Sequence, residues 1–341
     1  MDKNLLFKTA AAMMARGKGL LAADESSGTC EKRFKSVGVE PTEANRRIYR
    51  DLLFTTKGIE NFVSGVILFD ETIRQNSVAT NEPFPKYLEK KGIIPGIKVD
   101  KGTHDLALCP GEKIAEGLDG LRDRLAEYFK LGARFAKWRA VITIGAGIPS
   151  RTCILANAHA LARYAALCQE ASIVPVVEPE ILLDGDHTIE CCFEATEAML
   201  SALFAALHEQ NVAFEHTILK ASMVLSGKGC PQRAGVEQVA KETLRCLKQT
   251  VPAALPGVVF LSGGQSDLDA TAHLNAMAQL RGLPWPLSFS YSRALQNPAL
   301  KAWRGSSGNI AAAQQAFHHR AHMNSLATQG EYRPDLEVQA A

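Results

Sequence analysis

HTILKASMV (residues 216–224) is the stretch that decides the fold of this 341-residue chain. Its Thr, Ile, Leu and Val residues predict a buried β-strand, yet Lys220 interrupts the apolar run. Burial disfavours an ammonium group, and the neutral amine that results is a nucleophile for carbonyl carbon. A simpler interpretation is that Lys220 stands at a strand end and extends its charge into water. Lys98 and Lys137 interrupt two other apolar runs at comparable places, which favours a shared purpose.

Seven further runs of the same apolar, β-branched kind begin about 30 to 46 residues apart, which leaves room for a helix after each strand. They are GLLAADES (19–26), GVILFDET (65–72), IPGIKVD (94–100), ARFAKWRAV (133–141), IVPVVEPEIL (173–182), GVVFLSGGQS (257–266) and LSFSYSRAL (287–295). Such uniformly apolar strands are typical of a parallel sheet that is covered on its faces. Eight strand–helix units predict a (β/α)8 TIM barrel, and a doubly wound open sheet is the structural alternative.

The domain organisation is predicted to be simple, because no Pro/Gly/Ser-rich linker divides the chain. We expect one barrel domain over residues 1–327, which begins with an amphipathic N-terminal helix rather than a signal peptide. Residues 328–341 lose the helical periodicity, which predicts a short mobile tail.

Composition and charge narrow the functional classes. With 46% hydrophobic and 22% charged residues the chain is typical of a globular protein, and its apolar runs are shorter than the roughly 18 to 20 residues that span a membrane. A net charge of +2 does not suggest nucleic acid or a membrane surface as a partner. The eight cysteines show no C-x-x-C spacing, so free thiols and a cytoplasmic location are expected.

The predicted barrel brings distant polar residues together, since active sites of such barrels lie at the carboxyl ends of the strands. The polar residues near those ends are Asp24, Glu25, Lys98, Lys137, Arg139, Glu178, Glu180, Lys220, Ser262, Gly263, Ser290 and Arg293. Lys137 is expected to lower the pKa of Lys220, because like charge disfavours protonation. Glu178 and Asp24 are candidates for the acid and base that a carbinolamine needs, although structural ion pairs of Glu178 and Glu180 with the cations are the alternative.

Two groups of residues have the composition of anion sites. LSGGQSDLDA (261–270) predicts a Gly-Gly turn that leads into a helix, and backbone N–H groups at such a turn can hold a phosphate. Ser290 and Arg293 follow on the next predicted strand. The second group comprises Lys32, Arg33 and Arg46, for each of which a solvated helix face is the simpler interpretation.

Two weaker patterns are set aside, and neither predicts a metal or a cofactor. GAGIPS (145–150) lacks the third glycine of a dinucleotide fingerprint, and His318 with His322 has no third ligand in view. Carbonyl chemistry without a metal needs another electron sink, and an iminium group on a lysine can supply it.

The chain resembles the class I, Schiff-base-forming fructose-1,6-bisphosphate aldolases along nearly its whole length. The strings that carry the resemblance are LAADESSG, NRRIYR, GVILFDET, GIKVDKG, GLDGL, FAKWR, VEPEIL with DGDH, ILKASM, FLSGGQS, FSYSRAL and ALKAW. The resemblance implies a (β/α)8 barrel, a homotetramer and no metal. It also implies reversible cleavage of fructose 1,6-bisphosphate to glycerone phosphate and glyceraldehyde 3-phosphate.

The resemblance also implies roles for individual residues. Lys220 would form the Schiff base at the substrate ketone, and Glu178 would assist dehydration and take the proton of the carbon-4 hydroxyl group. Asp24 would orient that step, and Lys137 would stabilise developing charge. The substrate-binding residues would be Lys98 and Arg139 in the pocket, Ser262, Gly263, Gly264, Ser290 and Arg293 at the carbon-1 phosphate, and Arg33, Lys32, Ser26 and Arg46 at the other phosphate.

Three departures from the family pattern stand out. Ala221 and Ser222 replace the usual Pro-Asn after the nucleophile, and Ser292 replaces a glycine in the phosphate loop, where it is expected to tighten the approach to phosphate. The family's C-terminal tyrosine, used in proton exchange at the enamine, has no counterpart at EVQAA (337–341). The substrate phosphate, Tyr332 or water is the expected substitute.

Two other functions compete with this hypothesis. A transaldolase-like or deoxyribose-phosphate-type barrel would use the same lysine chemistry but would not need two basic clusters. A catalytically silent barrel that acts as a scaffold would be favoured by loss of Lys220, Glu178 or Asp24, and all three are present. The residues do not decide between fructose 1,6-bisphosphate and fructose 1-phosphate as the preferred substrate.

Overall fold

Eight parallel strands close into a barrel in the computed structural model, which describes residues 1–340. The strands are β1 (Gly19–Ala23), β2 (Val63–Leu68), β3 (Ile94–Lys98), β4 (Phe135–Ile142), β5 (Val174–Ile181), β6 (Ile218–Ala221), β7 (Val258–Phe260) and β8 (Leu287–Tyr291). Each lies within or next to a run predicted from the sequence. The last strand pairs with the first, with Leu20 opposite Ser290, so the predicted (β/α)8 barrel is confirmed and an open sheet is excluded.

The helices of the described residues surround the barrel. They are α1 (Lys3–Met13), α2 (Ser27–Lys35), α3 (Glu43–Thr55), α4 (Asp70–Ile73), α5 (Phe84–Lys90), α6 (Leu121–Leu131), α7 (Arg151–Glu170), α8 (Ile189–Glu209), α9 (Val236–Thr250), α10 (Asp267–Gln279), α11 (Arg293–Trp303) and α12 (Ile310–Thr328). Short 3-10 turns span Ile59–Asn61, Phe214–His216, Ser307–Asn309 and Pro334–Ala340. An antiparallel hairpin, Thr103–Asp105 with Lys113–Ala115, lies between β3 and α6 and was not expected from the sequence. No described helix is long and apolar enough to cross a membrane.

The barrel interior is filled by its own side chains and closed at one end by α1. Phe135 is completely buried there, and a Cβ atom at Gly96 would lie 2.3 Å from its ring. Glycine is therefore required at position 96, because no side chain fits between the strand and the ring. Leu6 and Met13 of α1 join this inner core, which makes the N-terminal helix a plug rather than a surface element.

The outer core lies between the strands and the ring of helices, and it buries large aromatic residues. Trp138 on β4 packs against Tyr164 on α7, with ring centroids 5.6 Å apart. The Tyr164 hydroxyl group donates a hydrogen bond to the carbonyl oxygen of Ala136 at 2.7 Å, so this helix is tied to the barrel wall. Several helices begin at side-chain caps; Ser266, for example, accepts a hydrogen bond from the backbone N–H of Asp269 at the start of α10.

The residues after α12 fold back onto the outer helices. The backbone N–H of Tyr332 donates to Oδ1 of Asn275 at 3.0 Å, and its side chain is buried. Glu337 accepts hydrogen bonds from Arg320 and pairs with His319. The domain boundary at residue 327 and the mobility of residues 328–341, the last of which lies outside the described residues, remain predictions.

Candidate active site

A cavity of about 350 Å³ opens at the carboxyl ends of the barrel strands, where the sequence predicted a site. Thirteen of the fifteen predicted site residues line it: Asp24, Ser26, Lys32, Arg33, Lys98, Lys137, Arg139, Glu178, Lys220, Ser262, Gly263, Ser290 and Arg293. The other two are Arg46 and Gly264. The closed barrel is the cause of this convergence, because it brings the ends of eight separate strands to one opening.

Lysine and carboxylate side chains alternate on the cavity floor. Lys220 Nζ lies 2.9 Å from Glu178 Oε1, and Lys137 Nζ lies 3.2 Å from Glu178 Oε2. Lys137 Nζ also contacts Asp24 Oδ2 at 2.7 Å. Since all four residues are at least nine-tenths buried, each charge is balanced by its neighbours rather than by water.

The electrostatics of the floor keep its carboxyl groups ionised. Burial alone would raise the pKa of Asp24 and Glu178, but the charges of Lys137 and Lys220 outweigh it and hold both pKa values below their usual range. Burial would lower the pKa of Lys137, but Asp24, Glu178 and Asp100 raise it. Glu178 is therefore a carboxylate in contact with two lysines, which suits a base or a carrier of protons to and from Lys220.

Asp100 is a member of this network that the sequence interpretation missed. Its Oδ1 lies 3.2 Å from Lys98 Nζ, and its Oδ2 accepts a hydrogen bond from the backbone N–H of Arg139 at 3.2 Å. It also stands 3.8 Å from Lys137 Nζ. The signal was available, because Asp100 follows Lys98 by two positions and alternate residues of an extended segment point the same way.

A glycine turn and two serines form one side of the cavity. Gly263 and Gly264 have φ values of +57° and +93°, a conformation that side chains rarely allow. Ser262 and Ser290 are buried beside the turn, and Ser290 Oγ has no hydrogen-bond partner among the described residues. A buried hydroxyl group without a partner is costly, so this atom is suited to a ligand.

A second buried cluster lies where the ends of β1 and β8 meet, and the sequence interpretation missed one of its members, Arg50. Glu25 pairs with Arg33 and with the buried Arg50, whose Nη2 lies 2.7 Å from Oε2. Ser292 Oγ donates to Glu25 Oε1 at 2.5 Å and accepts from Arg33 Nη1 at 3.1 Å. The serine that replaces the family glycine thus holds Arg33 at the cavity wall. Arg50 lies on α3, so a search for polar residues at the ends of predicted strands could not find it.

Arg46 and Arg139 are placed differently from the other predicted cations. Arg46 lies outside the cavity, where its guanidinium binds Glu71 at 2.8 Å and the carbonyl oxygen of Pro41 at 2.6 Å. Its position gives no support to a phosphate role. Arg139 lines the cavity but is paired with Glu180, the structural ion pair that was weighed as an alternative for that carboxylate.

Ser222 explains how the unusual sequence after the nucleophile is accommodated. Its Oγ accepts a hydrogen bond from the backbone N–H of Ile181 at 3.0 Å and donates to the carbonyl oxygen of the same residue at 3.2 Å. These bonds continue the pairing of β5 with β6 beyond the last ladder contact. Ala221, the neighbour of Lys220, is buried and pairs with Phe260 on β7.

The fold and the site together define a class of enzyme. A closed (β/α)8 barrel that holds a buried lysine among carboxylates, beneath a basic opening, is the arrangement of a lysine-dependent carbon–carbon lyase. Comparison with known proteins agrees with this class. The family model described as "Glycolytic: Fructose-bisphosphate aldolase class-I" matches residues 5–341.

Individual relatives are similar over nearly their whole length. A "Probable fructose-bisphosphate aldolase class 1" of Xanthomonas campestris pv. campestris is 63% identical and covers 96% of this chain and 98% of its own. "Fructose-bisphosphate aldolase 4, cytosolic" of Arabidopsis thaliana is 52% identical, and the match covers 98% of this chain and 85% of that protein. A solved structure of the Plasmodium falciparum enzyme, in complex with TRAP and a small-molecule inhibitor, has a TM-score of 0.95 at 48% identity over 97% and 95% of the two chains.

The chain therefore belongs to the class-I fructose-bisphosphate aldolase family. Its activity is that of the family, the cleavage of fructose 1,6-bisphosphate through a lysine Schiff base. The resemblance inferred from the sequence motifs is thereby confirmed.

Proposed function

We propose that this enzyme cleaves fructose 1,6-bisphosphate reversibly to glycerone phosphate and glyceraldehyde 3-phosphate, with Lys220 as the nucleophile. The observation that carries the assignment is the position of Lys220 Nζ, buried on the cavity floor 2.9 Å from the Glu178 carboxylate. Among the other lysines that line the cavity, Lys137 is shared by three carboxylates, and Lys98 is only partly buried and pairs with Asp100.

The proposed reaction begins with imine formation. The neutral Lys220 amine attacks the ketone carbon of the substrate, and the carbinolamine loses water to give a protonated imine. Glu178 contacts Lys220 directly, so it can accept the lysine proton and return it to the departing hydroxyl group. Lys137 contacts the other oxygen of Glu178 and stabilises the charge on that carboxylate throughout.

Carbon–carbon cleavage follows from the same geometry. A carboxylate, assigned to Glu178 with Asp24 as the orienting group, takes the proton of the carbon-4 hydroxyl group. The electrons of the bond between carbons 3 and 4 then move into the imine, which leaves an enamine on Lys220 and releases the aldehyde. Protonation at carbon 3 and hydrolysis of the imine release glycerone phosphate and regenerate Lys220.

Two groups of anion-binding residues would hold the two phosphates of the substrate. We assign the carbon-1 phosphate to the turn of Ser262, Gly263 and Gly264, with Ser290 and Arg293. This assignment is supported by the unpartnered Ser290 Oγ and the left-handed glycines. The other phosphate is assigned to Arg33, Lys32 and Ser26, near Lys98. Two separate sites favour a bisphosphate over the substrates of other lysine-dependent barrels.

The position of Tyr332 bears on the source of the enamine proton. The residue is buried between the C-terminal segment and α10, and it does not line the cavity. Burial and the neighbouring Glu337 raise its pKa to about 12, which makes it a poor proton donor to carbon. We therefore favour the substrate phosphate or water as the donor.

Borohydride trapping tests the central assignment. The enzyme is reduced in the presence of fructose 1,6-bisphosphate and the adduct is located by peptide mapping, with Lys220→Met as the test variant and Lys248→Met, an exposed helix lysine, as the control. We expect the adduct on Lys220, its loss in Lys220→Met and its retention in Lys248→Met. An adduct on another lysine would overturn the assignment. No adduct, with activity lost to EDTA, would favour a metal mechanism, whereas no adduct and no activity would favour a silent scaffold.

Assembly and location are proposed by analogy. The family resemblance favours a homotetramer of the 36.9 kDa chain, which light scattering after size-exclusion chromatography would test. A cytoplasmic location is supported by the free cysteines and by the name of the Arabidopsis relative. Cell fractionation would test it.

A further inference from the structure

Lys228 is a cation beside the Gly263–Gly264 turn that neither the sequence pattern nor the proposed mechanism includes. It follows β6 in the loop SGKGC (226–230), and its Nζ lies 2.8 Å from Asp184 Oδ1. Its side chain is 49% exposed, so the ammonium group has access to solvent and to an incoming ligand.

Lys228 and Arg293 converge on the glycine turn assigned to phosphate. A Cβ atom placed on Gly264 would lie 3.3 Å from Lys228 Nζ and 3.4 Å from Arg293 Nη2. The two cationic groups therefore approach the same point of the same turn, Lys228 from a loop and Arg293 from the start of α11. Because Gly264 carries no side chain, the two cationic groups have direct access to the backbone of the turn.

The charges at this point do not cancel. Asp184 is the carboxylate that pairs with Lys228, and its pKa is lowered mainly by that hydrogen bond and also by the charge of Arg293. Arg293 forms no ion pair within the described residues. Two cations thus face one carboxylate, and the excess positive charge favours a further anion.

The backbone around Lys228 is fixed, so that only its side chain would need to move. The backbone N–H of Lys228 donates to the carbonyl oxygen of Leu183 at 2.9 Å, and that of Gly229 donates to Gly185 at 2.8 Å. Gly227 donates to His187 at 2.8 Å on the other side. These bonds lock the loop to the segment after β5 and hold Lys228 beside the turn.

We propose that Lys228 is a specificity-determining residue for the phosphate at the Gly263–Gly264 turn. In the free enzyme its ammonium group pairs with Asp184; when substrate binds, it turns to a phosphate oxygen opposite Arg293. Asp184 competes with the phosphate for Lys228 and so limits affinity. The inference rests on the assignment of this turn to a phosphate in the proposed function.

Lys228→Met tests the proposal, with Lys228→Arg and the exposed helix lysine variant Lys241→Met as controls. We expect the KM for fructose 1,6-bisphosphate to rise roughly three- to tenfold in Lys228→Met, with kcat little changed. This is the size of effect expected when a charge-assisted hydrogen bond that is partly exposed to solvent is lost. The dissociation constant of inorganic phosphate, measured by calorimetry, should rise similarly. Lys228→Arg should keep most of the affinity, and Asp184→Asn should lower the KM.

Arg293→Met separates failure of this inference from failure of the site assignment. If Arg293→Met weakens phosphate binding while Lys228→Met behaves like Lys241→Met, the role of Lys228 is overturned and the phosphate site stands. If neither variant changes phosphate binding, the turn does not bind phosphate and both ideas fall. Borohydride trapping on Lys220 in Lys228→Met, compared with Lys241→Met, would show whether imine formation is retained.

Discussion

The ionisation of the cavity floor depends strongly on Lys137, because its Nζ contacts the carboxylates of Asp24, Glu178 and Asp100 at 2.7, 3.2 and 3.8 Å. A buried lysine that serves three carboxylates cannot be replaced without leaving those charges poorly compensated. Loss of this one ammonium group would therefore affect both the protonation of the site and the stability of the fold.

The pH dependence of stability gives a test at the level of this residue. Asp24 and Glu178 have lowered pKa values in the folded state, so they stabilise the fold above their unfolded pKa values, roughly 3.9 and 4.3, and this contribution is lost as the pH falls. In Lys137→Met their folded pKa values should rise, since the main compensating charge is gone. We expect Lys137→Met to be less stable than the wild type near pH 7 and to lose less of its stability on acidification, because the gap between folded and unfolded pKa values has narrowed; urea midpoints between pH 3 and 7 measure both effects.

Lys248→Met is the matched control for this measurement, because it removes a lysine from the surface of α9. Its stability should follow the wild-type pH profile. Identical profiles for Lys137→Met and the wild type would show that Lys137 does not set the ionisation of Asp24 and Glu178.

Site residues on strands could be predicted from the sequence, but the direction in which a helical side chain points could not. Lys220, Lys137 and Glu178 interrupt apolar runs, and barrel topology alone predicts that they meet. Arg50 shares a helix with Arg46, and no pattern in the sequence shows that Arg50 turns inward to Glu25 while Arg46 turns outward to Glu71. A helical side chain's direction depends on packing against elements distant in sequence.

At the scale of elements, the N-terminal helix is more important than its place in the chain suggests. Leu6 of α1 is fully buried in the barrel interior, whereas its neighbour Phe7 is 59% exposed. Leu6→Ala should lower the free energy of unfolding by about 2–5 kcal/mol, because it opens a cavity in a packed core. Phe7→Ala should change it little. Chemical denaturation of both variants checks this, and equal effects would contradict the plug.

The C-terminal segment provides a second test at this scale. Because Tyr332 lies outside the cavity, Tyr332→Phe should leave the rate of proton exchange into glycerone phosphate unchanged. Exchange with deuterated solvent, followed by NMR, measures that rate. A large drop in exchange with unchanged stability would restore Tyr332 as the proton donor.

The positions of the strands were predicted better than their lengths. The run 216–224 predicted a long strand, but β6 has only four residues, and beyond it the side chain of Ser222, rather than its backbone, bonds to Ile181. The hairpin after β3 escaped prediction because its strands are three residues each and partly exposed, so they show neither apolar runs nor alternation.

At the scale of the whole molecule, closure of the barrel is the condition for activity. The cavity takes Asp24 from the end of β1 and Ser290 from β8, and these strands pair directly with each other. Activity should therefore return during refolding only in the phase that closes the barrel. To check this, samples are taken during refolding and assayed for activity, and the time course is compared with that of the near-ultraviolet circular dichroism signal. Activity that returns before the last spectroscopic phase would contradict the prediction.

The pairing of the first strand with the last also has a consequence for synthesis on the ribosome. Leu20 emerges early, but its partner Ser290 is made only after most of the chain has been translated. At ordinary rates of translation, the edge of β1 that pairs with β8 therefore has no partner for roughly tens of seconds. Nascent chains are thus exposed to mispairing during that interval, and ribosome stalling before β8 should make this protein depend on chaperones far more than stalling after it.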